Sequence, residues 1–165
     1  MHLKPPSTTM PPWWTGTRGE WWVVGQGVLM AALVVVPAAW TWDGPWRPLW
    51  RGAGGVLILL GLGLAALAVR ELGPNLSALP RPRGRAVLVQ TGLYAHTRHP
   101  IYGGLILAAV GWALVKESGL HLLLAGGFAG YLYAKAVREE GFLQDRFPEY
   151  ADYRARTRRL IPWVF

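Results

Sequence analysis

Residues 21–42 run for 22 positions without a charged side chain, and that feature decides the solvent this chain is built for. At 1.5 Å per residue a helix of that length reaches about 33 Å, enough for a bilayer core of roughly 30 Å. Three further apolar stretches follow at residues 52–69, 101–115 and 118–134, the last with His121 near its start. The third gives only about 22 Å of apolar helix, short of the bilayer core, so it borrows residues at its ends, thins the bilayer, or forms a sunken hairpin with the fourth; Lys116-Glu117 marks the tip between them. Only 16% of the residues are charged, against about 25% in soluble domains. The 10 Trp and 21 Gly are types favoured in and around membrane helices. The expected fold is all-α and integral to the membrane. It has about four transmembrane helices, near 21–42, 52–70, 100–116 and 118–138, and a C-terminal interfacial helical segment over 139–165.

Residues 1–19, with Lys4, Pro5, Pro6, Pro11 and Pro12, read as a flexible tail ahead of a single domain over 20–165. A cleaved signal peptide is the weaker reading of the start, because the apolar run exceeds the usual 7–15 residues.

Fourteen of the 17 basic residues fall on one side of these spans. They are Lys4 and Arg18 in the tail, five arginines between spans two and three (Arg70, Arg81, Arg83, Arg85, Arg98), and seven residues from Lys135 to Arg159. Arg47, Arg51 and Lys116 fall on the other. Positive-inside bias puts both termini and the central loop in the cytoplasm, with lipid headgroups as partners for most of these charges. The net charge of +8 sits between apolar runs rather than on a soluble basic face, which argues against nucleic acid. With no Cys there is no thiolate chemistry. His2, His96, His99 and His121 offer no convincing metal set, and neither a Rossmann glycine signature nor a P-loop is present.

The candidate chemistry lies in Gly92-Leu93-Tyr94, in Arg98-His99-Pro100-Ile101-Tyr102-Gly103-Gly104, and in the Glu139-Glu140 pair at the end of span four. Pro100 suits the first turn of a helix, with His99 at its cap and Arg98 just outside. A cap plus an interfacial aromatic anchor explains this segment by itself. Measured from a hairpin tip near Glu117, however, Pro100 and Glu139 differ in depth by only about 7 Å. Arg98, His99, Tyr102, Glu139 and Glu140 therefore meet at one membrane boundary, where ionisable residues are functional candidates. Local pairing competes with this: Lys135 stands four residues before Glu139, and Arg98 is able to neutralise Glu140. Beyond them Phe142, Leu143, Phe147, Tyr150 and Tyr153 form an apolar stripe that Pro148 breaks into two helices. This segment either lies on the membrane or folds over the hairpin mouth as a lid.

Together with Tyr150-Ala151-Asp152-Tyr153-Arg154-Ala155-Arg156 and Leu160-Ile161-Pro162, these motifs resemble the isoprenylcysteine carboxyl methyltransferase and phospholipid methyltransferase group of membrane enzymes. The resemblance covers roughly half the chain, with Leu93 and Pro148 departing from the group's pattern. It implies methyl transfer from S-adenosylmethionine to a lipophilic acceptor (carboxylate, thiol or amine), small or itself lipidated. Arg98, His99, Pro100, Tyr102 and one of Glu139 and Glu140 would contact the cofactor, with backbone from Gly92, Leu93 and Tyr94. Arg156 would orient the acceptor. Two other classes fit parts of the pattern: an NAD(P)H-dependent membrane reductase sharing the Arg-His-Pro-x-Tyr motif, and a non-catalytic membrane protein of the same fold.

Overall fold

The computed structural model describes residues 19–80 and 87–160. The leader over residues 1–18, the loop arginines Arg81, Arg83 and Arg85, and the ending over residues 161–165 lie outside the described residues. Five α-helices follow one another: α1 (Glu20–Val35), α2 (Arg47–Leu72), α3 (Pro100–Val115), α4 (Gly119–Arg146) and α5 (Tyr150–Arg156). Short 3-10 turns occupy Gly73–Asn75 and Gly92–Ala95. Among the described residues there is no strand, only isolated bridges at Thr41–Ser118 and Thr97–Arg158.

The helix ends follow local chemistry more closely than hydropathy does. The first apolar run, expected to continue to residue 42, leaves the helix after Val35. Pro37 pushes Val36 into extended backbone (φ −65°, ψ 132°), as a residue before proline prefers. The second helix starts earlier than expected, because Pro48 sits in its first turn and draws Arg47 and Arg51 into the helix. The fourth helix continues past the expected residue 138 to Arg146, so Glu139 and Glu140 stand on its last turns. It stops where Phe147 turns extended (φ −115°, ψ 107°) ahead of Pro148.

Two helices, α2 and α4, are long and apolar enough to cross a membrane, with mean hydropathy of 2.3 and 1.2 in their most apolar windows. The other two, α1 and α3, are apolar but shorter, at 16 residues each. The lateral order is α2, α3, α4, α1, each packed on the next. Large apolar side chains such as Val28, Leu59 and Leu123 point outward and are more than 60% exposed, as expected of helices solvated by lipid. The inner contacts are small. A Cβ added to Gly61 would meet Gly104 O at 2.5 Å, and one added to Gly104 would meet Gly61 O at 2.5 Å. Glycine lets the α2 and α3 backbones touch there, the small-residue packing common where lipid supplies no hydrophobic drive.

The alternating helices gather two ends. At one, the loop between α1 and α2 is fastened to the α3–α4 turn. Ser118 Oγ donates to Ala39 O (2.7 Å) and accepts from Ala39 N (3.1 Å), while Trp42 N donates to Glu117 O (3.2 Å). Glu117 takes a left-handed backbone (φ 50°), and its buried carboxylate pairs with Arg47 (2.8 Å) and Arg51 (2.9 Å). These two guanidiniums hold the Glu117 carboxyl below its usual range against the opposing effect of burial. The start of α1, the end of α2, the start of α3 and the end of α4 meet at the other end. That end holds the site.

Candidate active site

Pro100 is the first residue of α3, and His99 is its cap residue, with φ −129° and ψ 59°. This start places the His99 and Tyr102 rings, three residues apart, in a stack with centroids 5.3 Å apart. From the facing end of α4, Glu139 accepts a hydrogen bond from Tyr102 Oη at 2.6 Å. His99 Nδ1 lies 3.4 Å from Glu139 Oε2, and Nε2 lies 3.5 Å from Glu140 Oε1. Burial opposes the imidazolium, but the two carboxylates outweigh it and raise the His99 pKa above 6.5. His99 Nε2 is buried and makes no hydrogen bond among the described residues.

Glu140 is engaged from two other directions. Arg98 Nε donates to its Oε1 at 2.8 Å. Arg159 grips it with two bonds, Nε to Oε1 at 3.0 Å and Nη2 to Oε2 at 2.9 Å, the bidentate geometry in which guanidinium binds carboxylate best. Arg98 also donates to the carbonyl of Thr157. The backbone completes the suture, with Arg98 N to Arg158 O at 2.8 Å and His99 N to Arg159 O at 3.0 Å. Residues 147–160 therefore fold over the hairpin mouth rather than lying apart on the membrane. Tyr150 and Tyr153 on α5 are buried beneath this cover, and Tyr153 Oη donates to Tyr94 O at 2.7 Å.

The turn carrying Tyr94 is shaped from α2. Gly92 takes φ +60°, a conformation open to glycine at no steric cost, and Glu71 accepts from Leu93 N at 2.7 Å. Tyr94 is thereby turned inward, where its hydroxyl donates to Ala68 O at 3.4 Å.

Beside this cluster lies a largely apolar cavity of about 490 Å³, within the roughly 300–1,000 Å³ of small-molecule and cofactor sites. Tyr94, Arg98, His99, Tyr102 and Glu139 line its polar end, and Met30, Val69, Ile101 and Leu143 are among its apolar walls. The structure thus gathers Arg98, His99, Pro100, Tyr102, Glu139 and Glu140, and separates the roles of the two carboxylates. Glu139 lines the cavity, whereas Glu140 is enclosed by cations. Gly92 and Leu93 stand behind Tyr94 and do not line it. Arg156 is exposed on α5 outside the lining; it donates to Gln90 Oε1 and lies over the Tyr153 ring.

Three residues make contacts that the sequence pattern does not show. Arg159 reads there as one of a run of surface cations. Gln26 of α1 and Lys135 of α4 both line the cavity and bond to each other at 2.7 Å, across 109 positions of chain. No periodicity links residues that far apart. Among the described residues no three His, Asp or Glu side chains form a group able to hold a metal ion.

The profile of the family described as phospholipid methyltransferase matches residues 50–150, a stretch that contains Tyr94, Arg98, His99, Tyr102 and both carboxylates. The chain is similar to a cobalt-zinc-cadmium resistance protein of Cupriavidus metallidurans (34% identical, covering 87% of this chain and 62% of the relative). It is also similar to a methanethiol S-methyltransferase of Bradyrhizobium diazoefficiens (42% identical, 43% of this chain, 25% of the relative). A third relative is the protein-S-isoprenylcysteine O-methyltransferase of Saccharomyces cerevisiae (29% identical, 67% of this chain, 48% of the relative). The chain spans about six-tenths of the length of the resistance protein it matches. A profile match over well over half its residues, with the polar cluster inside the matched stretch, makes this chain a member of the phospholipid methyltransferase family.

Proposed function

We propose that this protein transfers a methyl group from S-adenosylmethionine to a lipophilic acceptor at the cytoplasmic face of the membrane, with α1 to α4 all crossing. One observation carries the reading: a buried polar cluster of Arg98, His99, Tyr102 and Glu139 opens directly into an apolar cavity. Such a cavity suits a reaction between a charged, water-soluble donor and a greasy acceptor. The donor set fits the cofactor. The Glu139 carboxylate offers acceptor lone pairs for hydroxyl or amino groups, and buried His99 Nε2, 3.5 Å from Glu140, makes no hydrogen bond among the described residues.

When bound, S-adenosylmethionine supplies an activated methyl on a permanently cationic sulfur. The protein's task is then positioning and water exclusion. Tyr102 fixes the Glu139 carboxylate by its 2.6 Å bond, and His99 stacks behind Tyr102. Glu140, held by Arg98 and Arg159, locks α4 to the strap formed by residues 147–160, which covers the polar end. Arg156, at the outer rim beside Gln90, meets the acceptor as it approaches.

The test is calorimetric binding of S-adenosylmethionine and S-adenosylhomocysteine to the detergent-solubilised protein, with NADPH as control. Saturable binding of both sulfur compounds supports methyl transfer. Binding of NADPH alone, or of none of the three, overturns it.

A further inference from the structure

The cavity holds one charged side chain that the arrangement above leaves without a task. Lys135 is 2% exposed and lines the cavity. Its Nζ donates to the neutral Gln26 Oε1 at 2.7 Å and lies 5.2 Å from the centre of the Tyr102 ring. Glu139, one turn further along α4, is the carboxylate expected to neutralise it. That carboxylate is turned instead toward Tyr102 and His99, and none of the ion pairs among the described residues includes Lys135.

Lys135 feels the Glu139 charge one turn away but bonds only to a neutral amide, and an enclosed cation without an ion-pair partner is costly. That cost is offset when an anion enters beside it. The position is also specific. Four residues back from Glu139, Lys135 lies about 6 Å deeper along the helix, between the polar cluster and the apolar walls. That is the depth at which the reacting end of an acceptor has to lie if its tail fills the apolar part.

We infer that Lys135 is the counterion seat for the acceptor, and that the acceptor is a lipophilic acid, reacting as its carboxylate or thiolate, rather than an amine. The inference rests on the methyl-transfer reading and narrows it. A carboxylic acid enters with its proton already lost to water, and a thiol enters through its ionised fraction, which the Lys135 cation favours. The acceptor's oxygen or sulfur lone pair forms the new bond to the methyl carbon, the carbon–sulfur bond of the donor breaks, and that electron pair stays on the sulfur. Anion and sulfonium give a neutral ester or thioether and a neutral sulfide, so no proton moves in the step and no base is required. An alkylammonium would face a like charge in a dry site and would have to discard a proton there.

The experiment measures binding of octanoate, octanol and octylammonium to the protein in nanodiscs at pH 7.5, over empty nanodiscs and without cofactor. Octanoate should bind about 10- to 100-fold more tightly than octylammonium, the range for a hydrogen bond to a charged partner. Lys135→Met should erase that preference while leaving octanol binding unchanged, and Lys135→Arg should retain it. Octylammonium binding as tightly as octanoate to wild type overturns the inference without any variant, as does a Lys135→Met protein that keeps the preference. Octanoate preference in a protein that binds no S-adenosylmethionine leaves the anion seat standing and removes the methyl-transfer reading.

Discussion

Arg98 and Glu140 meet at 2.8 Å with both side chains buried, joining the residue ahead of the α3 cap to the last turns of α4 across 42 positions of chain. Arg159 closes on the same carboxylate from the C-terminal strap. Removing that carboxylate leaves two guanidiniums facing each other. Glu140→Gln should therefore cost stability first, roughly 3–5 kcal/mol as for breaking a buried pair, read as a drop in unfolding temperature in detergent. Glu139→Gln should behave oppositely. Its carboxylate faces the cavity, so S-adenosylmethionine affinity should fall about tenfold or more at nearly unchanged melting. Equal loss of melting temperature in both variants would erase the distinction drawn between the two carboxylates.

His99 gives the fold a proton-linked contribution. Its pKa lies above 6.5 in the folded protein because Glu139 and Glu140 outweigh the burial that opposes its charge. A raised pKa stabilises the fold fully below the unfolded value, near pH 6.5, and that contribution is lost as pH rises through the folded value. Melting temperature measured from pH 6 upward should decline for wild type relative to His99→Asn. Parallel curves for the two proteins would show that the imidazole carries no linked proton.

The α2–α3 contact has no room for a methyl group. Gly104→Ala should cost about 1–3 kcal/mol, as overpacking does, since its Cβ would lie 2.5 Å from Gly61 O. Gly55, in the same helix as Gly61, has nothing within 4 Å of an added Cβ. Gly55→Ala should be neutral or gain up to about 1 kcal/mol in helix propensity. Thermal unfolding of the two variants side by side measures the difference, and equal melting would remove the close approach as the reason for glycine.

Arg156 stands outside the cavity lining, so its loss should leave the cofactor constant untouched. Arg156→Ala should lower turnover about tenfold, the worth of one hydrogen bond to a charged partner. The measurement is a rate with saturating S-adenosylmethionine, alongside a calorimetric dissociation constant. Unchanged turnover would reduce this arginine to its bond with Gln90.

Local chemistry made much of this readable. Pro100 announces the start of α3, and Lys116-Glu117 the hairpin tip, because proline and a charged pair in an apolar run have few places to go. Depth arithmetic from that tip brought Arg98 and His99 to the level of the two carboxylates. Hydropathy misplaced the end of α1, since it counts Pro37 as one residue among many while backbone sterics give it control of Val36. Helical spacing makes Lys135 the neighbour of Glu139, which it is, but does not show that each bonds elsewhere. The competing bonds to Tyr102 and Gln26 come from other helices, and sequence spacing carries no information about them.

The two ends of α1 are held by different kinds of bond. Beyond its far end, backbone and the Ser118 hydroxyl tie Ala39, Trp40 and Trp42 to the α3–α4 turn. Beside the cavity, side-chain bonds tether it to α4, from Tyr131 Oη to Trp22 O (2.9 Å) and between Lys135 and Gln26. The helix is built like the moving arm of a clothes-peg, sprung at the far loop and latched at the jaw by a phenol and an ammonium. The lysine that fastens this jaw also lines the cavity, so an anion that draws Lys135 to itself would at the same time loosen the hold of α4 on α1.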